Sequence, residues 1–363
     1  MKTYYALGLM SGDSLDGLNL VYCRLDWNNN SVQKWKIIQA DTFAFSPMWK
    51  ARLQALPLQN AFNFAKTDVY FGYYMAELVR TFVQKYKIEK LDFIASHGHT
   101  VFHNPARGFS TQIGSGATLA AMTKQKVICD FRTQDVALGG EGAPFTALAD
   151  HYLYPQHDYY IHLGGILSIS TCRNEKWTAF DVCYANQVLN LLATELELSY
   201  DEGGKVARAG QLNKVLLEQL KKVPFYKKRP PKSMSNEWIR RVIFPIYTNV
   251  DCSIEDKLNT AVEHIAHELM NAMYRLNQNK TNTLFVTGGG VHNTYLVERL
   301  SHFSRLMDKK IVLPDPVHID YKKAILVALL GVLRLENVPN SFATATGASY
   351  STINGAIHIG KLT

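Results

Sequence analysis

Three glycine-bearing segments each follow an apolar run, and each offers groups suited to an anionic ligand. The first is Ser11-Gly12-Asp13-Ser14-Leu15-Asp16-Gly17, with two glycines, two hydroxyls and two carboxylates. Glycine lets backbone N–H groups approach an anion closely, serine hydroxyls can donate to phosphate, and a carboxylate such as Asp16 can hold a divalent ion. A polar hairpin loop and a phosphate-binding turn are both open readings of this stretch alone. The second segment is Gly164-Gly165, and the third is Gly288-Gly289-Gly290 followed by Asn293. Two such turns facing each other from two lobes would clamp the phosphates of a nucleotide, with the third at its nucleoside end. Neither G-x-x-x-x-G-K-[ST] nor G-x-G-x-x-G occurs, which argues against a P-loop or a Rossmann site.

Phosphoryl transfer needs positioning, charge neutralisation by Mg²⁺ and a base for the acceptor. Asp181, delivered by the predicted strand Trp177 to Phe180, is the candidate base. The loop holding His97, His99 and His103 invites a metal reading, but no acid or cysteine lies close by in sequence. Hydrogen bonding to a polar ligand or packing within the loop suits it better. A further loop, Arg132 to Pro144, combines a cation, the acids Asp135 and Glu141 and three glycines, as ligand-facing loops do.

The elements that must position these groups read as strands and helices in α/β alternation. Tyr4 to Met10 and Leu18 to Leu25 are apolar strands flanking the first turn, and a strand is expected within Trp35 to Ala40. Asp68 to Lys87 carries Val69, Tyr73, Ala76, Leu78-Val79 and Phe82-Val83 at helical spacing, and Leu91 to Ala95 follows as a buried strand ending at the histidine loop. Lys126 to Phe131 is a strand, and Tyr159 to Leu163 opens a second strand–glycine–strand block. Long helices are predicted over Ile254 to Leu276 and Tyr321 to Leu335, with a strand at Thr283 to Thr287 between them. Strand–glycine turn–strand thus occurs twice, about 155 residues apart, a coarse duplication suggesting two similar lobes.

The chain of 363 residues is long enough for two cores, and its 47% apolar composition is ordinary for a soluble protein. A formal charge of +8 favours anionic partners in general. The densest basic cluster, Lys221-Lys222 with Lys227-Lys228-Arg229 and Lys232, lacks interleaved aromatics, so it reads as solvated surface and nucleic acid is not expected. Five cysteines without a CxxC pair indicate neither zinc nor a disulfide framework, and Cys23, Cys129 and Cys172 read as core residues. With no run of 18 apolar residues and no signal peptide, no membrane partner is expected and a cytoplasmic enzyme is.

Gly8-Leu9-Met10-Ser11-Gly12-Asp13-Ser14-Leu15-Asp16-Gly17 resembles the signature of the anhydro-N-acetylmuramic acid kinases, of the actin/hexokinase/Hsp70-type ATPase superfamily. The resemblance runs through Ser96-His97-Gly98, Phe131-Arg132, Gly142-Ala143-Pro144, His162-Leu163-Gly164-Gly165, Phe180-Asp181, Pro230-Pro231-Lys232-Ser233, Gly288-Gly289-Gly290 with Asn293, and Thr346-Gly347-Ala348. It implies an α/β fold of two ribonuclease-H-like lobes of the actin/hexokinase/Hsp70 type around a central cleft. The implied division is a first lobe at 1–130, rejoined by a tail of about 345–363, and a second at 131–344.

The implied activity is ATP-dependent opening of the anhydro ring of a cell-wall-derived amino sugar. Water adds at C1 and phosphate goes to O6, giving N-acetylmuramic acid 6-phosphate. ATP and Mg²⁺ are the implied cofactors. Ser11 to Gly17, Gly164, Gly165, Gly288 to Gly290 and Asn293 would take the nucleotide and Asp16 the metal. Asp181 would activate the water, and His97, Arg132 and Asp135 would meet the sugar. A homodimer is left open. The chain departs from the family at Asp13, at His99 in place of Gln, at Val182-Cys183-Tyr184-Ala185-Asn186 in place of T-G-P-G-N, and at Lys323 in place of an acid. A nucleotide-dependent binding module and a kinase for another sugar therefore stay beside the main reading.

Overall fold

The computed structural model describes residues 1–12, 15–277 and 281–361, so Asp13 and Ser14 lie outside the described residues. The chain forms two compact units, Met1–Pro155 with Tyr321–Thr363, and Gln156–Asp320. The boundary expected near residue 130 and the tail expected from about 345 differ from this division. Trp35 on the third strand donates to the Leu153 carbonyl, and Lys322 pairs with Asp150 in the interior, so both flanking segments belong to the first unit.

In the first unit β1 (Lys2–Ser11), β2 (Gly17–Asn28) and β3 (Ser31–Ala44) form an antiparallel meander. β3 is longer than the stretch expected at Trp35 to Ala40, because its largely exposed face carries polar residues that hide it from an apolar pattern. β4 (Phe93–Ser96) lies on the other side of β1 and parallel to it, β5 (His99–Asn104) and β6 (Phe109–Ile113) make a separate hairpin, and β7 (Val127–Cys129) runs parallel to β4. The last strand, Ala356–His358, closes the sheet antiparallel to β7.

The helix Ala61–Lys85 starts where the Asn60 side chain accepts the Asn63 N–H, a cap that satisfies one orphan donor. It buries Phe71, Met75, Val79 and Phe82, at spacings of three and four, while Val69 and Tyr73, expected on the inner face, are exposed. Ala76, Val79 and Phe82 of the expected stripe are buried, so periodicity finds the inner face over the second half of the helix and misses it before that, where aromatic residues lie on more than one side. Cys23 is buried as expected, whereas Cys129 and Cys172 are only half-buried.

In the second unit β8 (Tyr159–Leu163), β9 (Ile166–Arg173) and β10 (Lys176–Tyr184) repeat the meander, and β11 (Thr283–Thr287) and β12 (Lys310–Val312) add in parallel beside β8. The strand order is β10-β9-β8-β11-β12, matching β3-β2-β1-β4-β7 of the first unit. Both units therefore carry the third–second–first–fourth–fifth order of the expected ribonuclease-H-like lobes. The helix Ile254–Leu276, capped by Ser253, buries Leu258, Val262, Ile265, Leu269 and Met273 in the core of this unit.

In the first unit the helix segment after Tyr321 lies against β1 at Gly8. A β-carbon there would fall inside contact distance of the Ala324 carbonyl oxygen. Gly8→Ala is expected to cost about 1–3 kcal/mol through forced displacement of this helix, and the urea midpoint of unfolding measures it.

Candidate active site

β1, β4 and β7 are neighbours running in the same direction, so their C-terminal ends emerge together, the place where open α/β sheets bind ligands. From β1 comes the turn ending at Asp16 and Gly17. Ser11 is buried with its hydroxyl 2.9 Å from Nδ1 of His99, and Asp16 is exposed. From β4 comes His97, whose backbone N–H donates to the Leu9 carbonyl of β1 at 3.0 Å. From β7 comes Arg132, half-buried at the start of the short helix Thr133–Ala137.

His97 is buried, and its Nδ1 lies 3.2 Å from the Gly98 carbonyl oxygen. A carbonyl only accepts, so Nδ1 carries the proton and Nε2 of the neutral ring presents a lone pair. That Nε2 is buried and has no hydrogen-bond partner among the described residues. Burial, and after it the Arg132 guanidinium, holds the imidazole well below its ordinary pKa, with Lys323 and His99 adding to the effect. The ring is thus an uncharged acceptor beside cations, able to take a hydrogen bond from a ligand hydroxyl.

Asp135, expected at the sugar, is fully buried and holds its own loop. Its carboxylate accepts from the Gly142 N–H at 2.9 Å and from the Thr346 hydroxyl at 2.9 Å, and burial raises its pKa. This carboxylate positions the Arg132-to-Pro144 loop from within.

In the second unit β8 and β11 are parallel neighbours, with Thr287 opposite His162. Their ends carry Gly164-Gly165 and Gly288-Gly289-Gly290. Gly288 has φ +94°, and a β-carbon there would lie 2.6 Å from the Leu163 carbonyl oxygen, so glycine is required for the two turns to pack side by side. The Gly164 and Gly165 carbonyls accept the N–H groups of Asn186, Ala185 and Gln187, which uses these first donors of the helix Asn186–Ala193 internally. Asn293 caps the helix Thr294–Arg305, its side-chain oxygen accepting the Leu296 N–H at 2.9 Å.

Asp181, expected at a strand end, sits inside β10 at a bulge between Asp181 and Cys183. Its Oδ2 accepts the Met234 N–H at 2.8 Å and its own N–H donates to the Lys232 carbonyl at 3.1 Å. Strand bulges re-aim side chains next to active sites.

Among the described residues no three His, Cys, Asp or Glu side chains gather as a metal site. His97, His99 and His103 take different partners: the Gly98 carbonyl, the Ser11 hydroxyl and the Ser110 hydroxyl. The pairing of Ser11 with His99 and the approach of Lys323 to His97 were missed in the sequence because both join residues far apart in the chain. The only signals were the two family departures at His99 and Lys323.

The model of the family described as anhydro-N-acetylmuramic acid kinase matches residues 4–360. The chain belongs to that family. Relatives of that name include one from Haemophilus influenzae, 31% identical over 386 residues and covering 98% of each chain. Another, from Francisella tularensis subsp. novicida, is 30% identical over 98% of each chain. A third, from Sulfurimonas denitrificans, is 29% identical over 99% of this chain and all of its own. Among solved structures, the activator of 2-hydroxyisocaproyl-CoA dehydratase from Clostridium difficile aligns over 92% of this chain and 96% of its own, with 14% identity and a TM-score of 0.45, a likeness that says nothing of the site. The span matched by the family holds every candidate residue described above, from Ser11 to Asn293, together with Lys323.

Two buried imidazoles are held below the ordinary histidine value of about 6.5: His97, and His264 of the second unit, which burial lowers to about 4. As pH falls below about 6.5 the unfolded chain binds protons that the folded chain refuses, so stability falls towards acid by up to about 1.4 kcal/mol per pH unit for each ring. Urea midpoints at pH 7, 6 and 5 check this. A slope unchanged by His97→Gln with His264→Gln would contradict it.

Proposed function

We propose that this chain is an ATP-dependent kinase that opens the anhydro ring of 1,6-anhydro-N-acetylmuramic acid and phosphorylates it, yielding N-acetylmuramic acid 6-phosphate for cell-wall recycling. The observation that carries the reading is family membership over residues 4–360, with relatives of that name aligned end to end. Water adds to C1, the C1–O6 bond breaks, O6 takes the γ-phosphoryl group of ATP, and ADP leaves.

Asp181 takes the proton of the attacking water. The Met234 N–H orients its carboxylate and the Lys232 carbonyl fixes its backbone, which supports a general base held in one geometry. Nε2 of His97 accepts from a sugar hydroxyl. Arg132 meets the lactyl carboxylate, and Asp135 positions Arg132 through the loop it braces. The glycine turns and Asn293 take the nucleotide. Asp16, an exposed carboxylate at a strand-end turn, suits Mg²⁺, which binds through one or two carboxylates plus phosphate oxygens and water. Mg²⁺ when bound neutralises charge on the phosphates. The setting is the cytoplasm, where ATP is supplied; among the described residues no helix is long and apolar enough to cross a membrane.

One observation favours a second reading, a kinase for a different sugar: Lys323, exposed and acting on His97, places a cation where the family carries an acid. An ADP-release assay with 1,6-anhydro-N-acetylmuramic acid, N-acetylglucosamine and glucose separates the two. Turnover is expected only with the anhydro sugar. Asp181→Asn is expected to lower kcat by about 10²–10⁴-fold with ATP binding retained. Unchanged turnover in that variant removes Asp181 as base, and ATP binding without any sugar turnover supports a nucleotide-dependent binding module.

A further inference from the structure

Of the basic cluster read as solvated surface in the sequence, Lys227, Lys228 and Arg229 are exposed as expected and, with the half-buried Lys232, also line a cavity. This cavity, of about 560 Å³, lies in the second unit and is lined by none of the residues assigned above to nucleotide or sugar, nor by Asp181, although Lys232, whose carbonyl accepts the Asp181 N–H, is part of its wall. Its volume falls within the range of about 300–1,000 Å³ typical of small-molecule sites. Lys227, Lys228, Arg229 and Lys232 come from the loop on one side, and Arg275 from the last turn of the helix Ile254–Leu276 on the other. Phe180 from β10 and Tyr226 add apolar wall. Thr178, Phe180 and Val182 of β10 line the cavity and Asp181 does not.

Five cations thus face one carboxylate, that of the buried Glu268. Lys232 is half-buried. Its ammonium donates to the Phe225 carbonyl at 3.2 Å and lies 4.6 Å from the centre of the Phe225 ring. Burial, then the nearby Arg275, lowers its pKa to about 8. Lys227, Lys228, Arg229 and Arg275 are exposed and only Lys232 is half-buried, so the repulsion among the cations is felt most at Lys232 and eases when an anion joins them. The negative end of the helix Ile254–Leu276 opposes an anion here, but Arg275 stands at that end and offsets it.

The cations suit a phosphate dianion, but inorganic phosphate alone would leave most of the volume and its other groups unused. Glu268 and Asn271, themselves 3.2 Å apart in a hydrogen bond, are placed to accept from and donate to hydroxyls. The largely buried Phe180 and Tyr226 supply apolar wall for the carbon skeleton of a sugar. We infer that this cavity is a binding site for a phosphorylated sugar, distinct from the groups that carry the kinase chemistry. The inference stands on the cavity's own chemistry and is tested without turnover.

Titration calorimetry of the full chain with glucose 6-phosphate, N-acetylglucosamine 6-phosphate, inorganic phosphate and glucose tests it. Both sugar phosphates are expected to bind one per chain, inorganic phosphate about tenfold more weakly, and glucose not measurably. Lys228→Glu with Arg229→Glu should weaken both sugar phosphates by about tenfold or more while leaving ATP binding and the melting temperature unchanged. If that reversal does not fold, Lys228→Gln with Arg229→Gln carries the same comparison with a smaller loss. Glu268→Gln should reduce the preference for sugar phosphate over inorganic phosphate. No heat with either sugar phosphate, or equal affinity in wild type and the folded rim variant, overturns the inference.

Discussion

The hydrogen-bond register of parallel strands is the constraint on which the site depends. In the first unit Leu9 stands opposite Ser96 and Ser96 opposite Cys129, so β4 and β7 finish level, β1 runs two residues further to Ser11, and all three release their turns on one side. The His97 N–H to the Leu9 carbonyl extends this ladder one residue past β4 and so fixes where the imidazole starts. A slip of one residue would turn His97 to the other face of the sheet, and no loop adjustment would restore it. In the second unit the pairing of Thr287 with His162 does the same for the two glycine turns.

With the strand ends set, burial decides what each polar group can do. His97 is uncharged because it is enclosed and because Arg132 stands nearby, and its Nε2 is therefore an acceptor in a neighbourhood otherwise rich in donors. Asp135 reaches a different outcome under similar burial. Backbone and hydroxyl donors satisfy it, which makes it a brace for a loop. Each unit thus separates groups that shape the backbone from groups left to meet a ligand, and the separation follows from which donors the fold brings to each atom.

Much of this was legible in the sequence where local signals agree. The helix Ile254–Leu276 and the strand Thr283–Thr287 fall at their expected limits, since a Ser253 cap and a compact β-branched and apolar run mark them. The repeated strand–glycine–strand block announced two similar lobes, and the two sheets do share one strand order. Legibility failed where pairing is long-range. β3 gains its length by hydrogen-bonding to β2 despite a polar face. The buried stripe of Ala61–Lys85 is chosen by what packs on it, since aromatic residues populate several faces. Lys227 and Lys228 are solvent-facing as read, but the cavity they border with Lys232 was not legible, because its opposite wall, Glu268 and Arg275, lies some forty residues on.

The family departures divide by where their side chains go. Cys183 and Tyr184, which replace residues of the usual T-G-P-G-N, are fully buried: Tyr184 bonds to Nδ1 of His264 at 2.8 Å and to the Tyr247 hydroxyl, and Cys183 lies against Tyr226. The backbone beyond them still returns its N–H groups at Ala185, Asn186 and Gln187 to the Gly164-Gly165 turn. These changes therefore rebuild the core behind the proposed base while leaving the turn beside it closed. Lys323 is different. It is exposed and its charge acts on His97. A core substitution of this kind is compensated by its neighbours, whereas a reversed charge at a ligand-facing surface changes which ligand is favoured. Of the described departures, Lys323 is thus the one through which the specificity of this chain would part from that of its relatives.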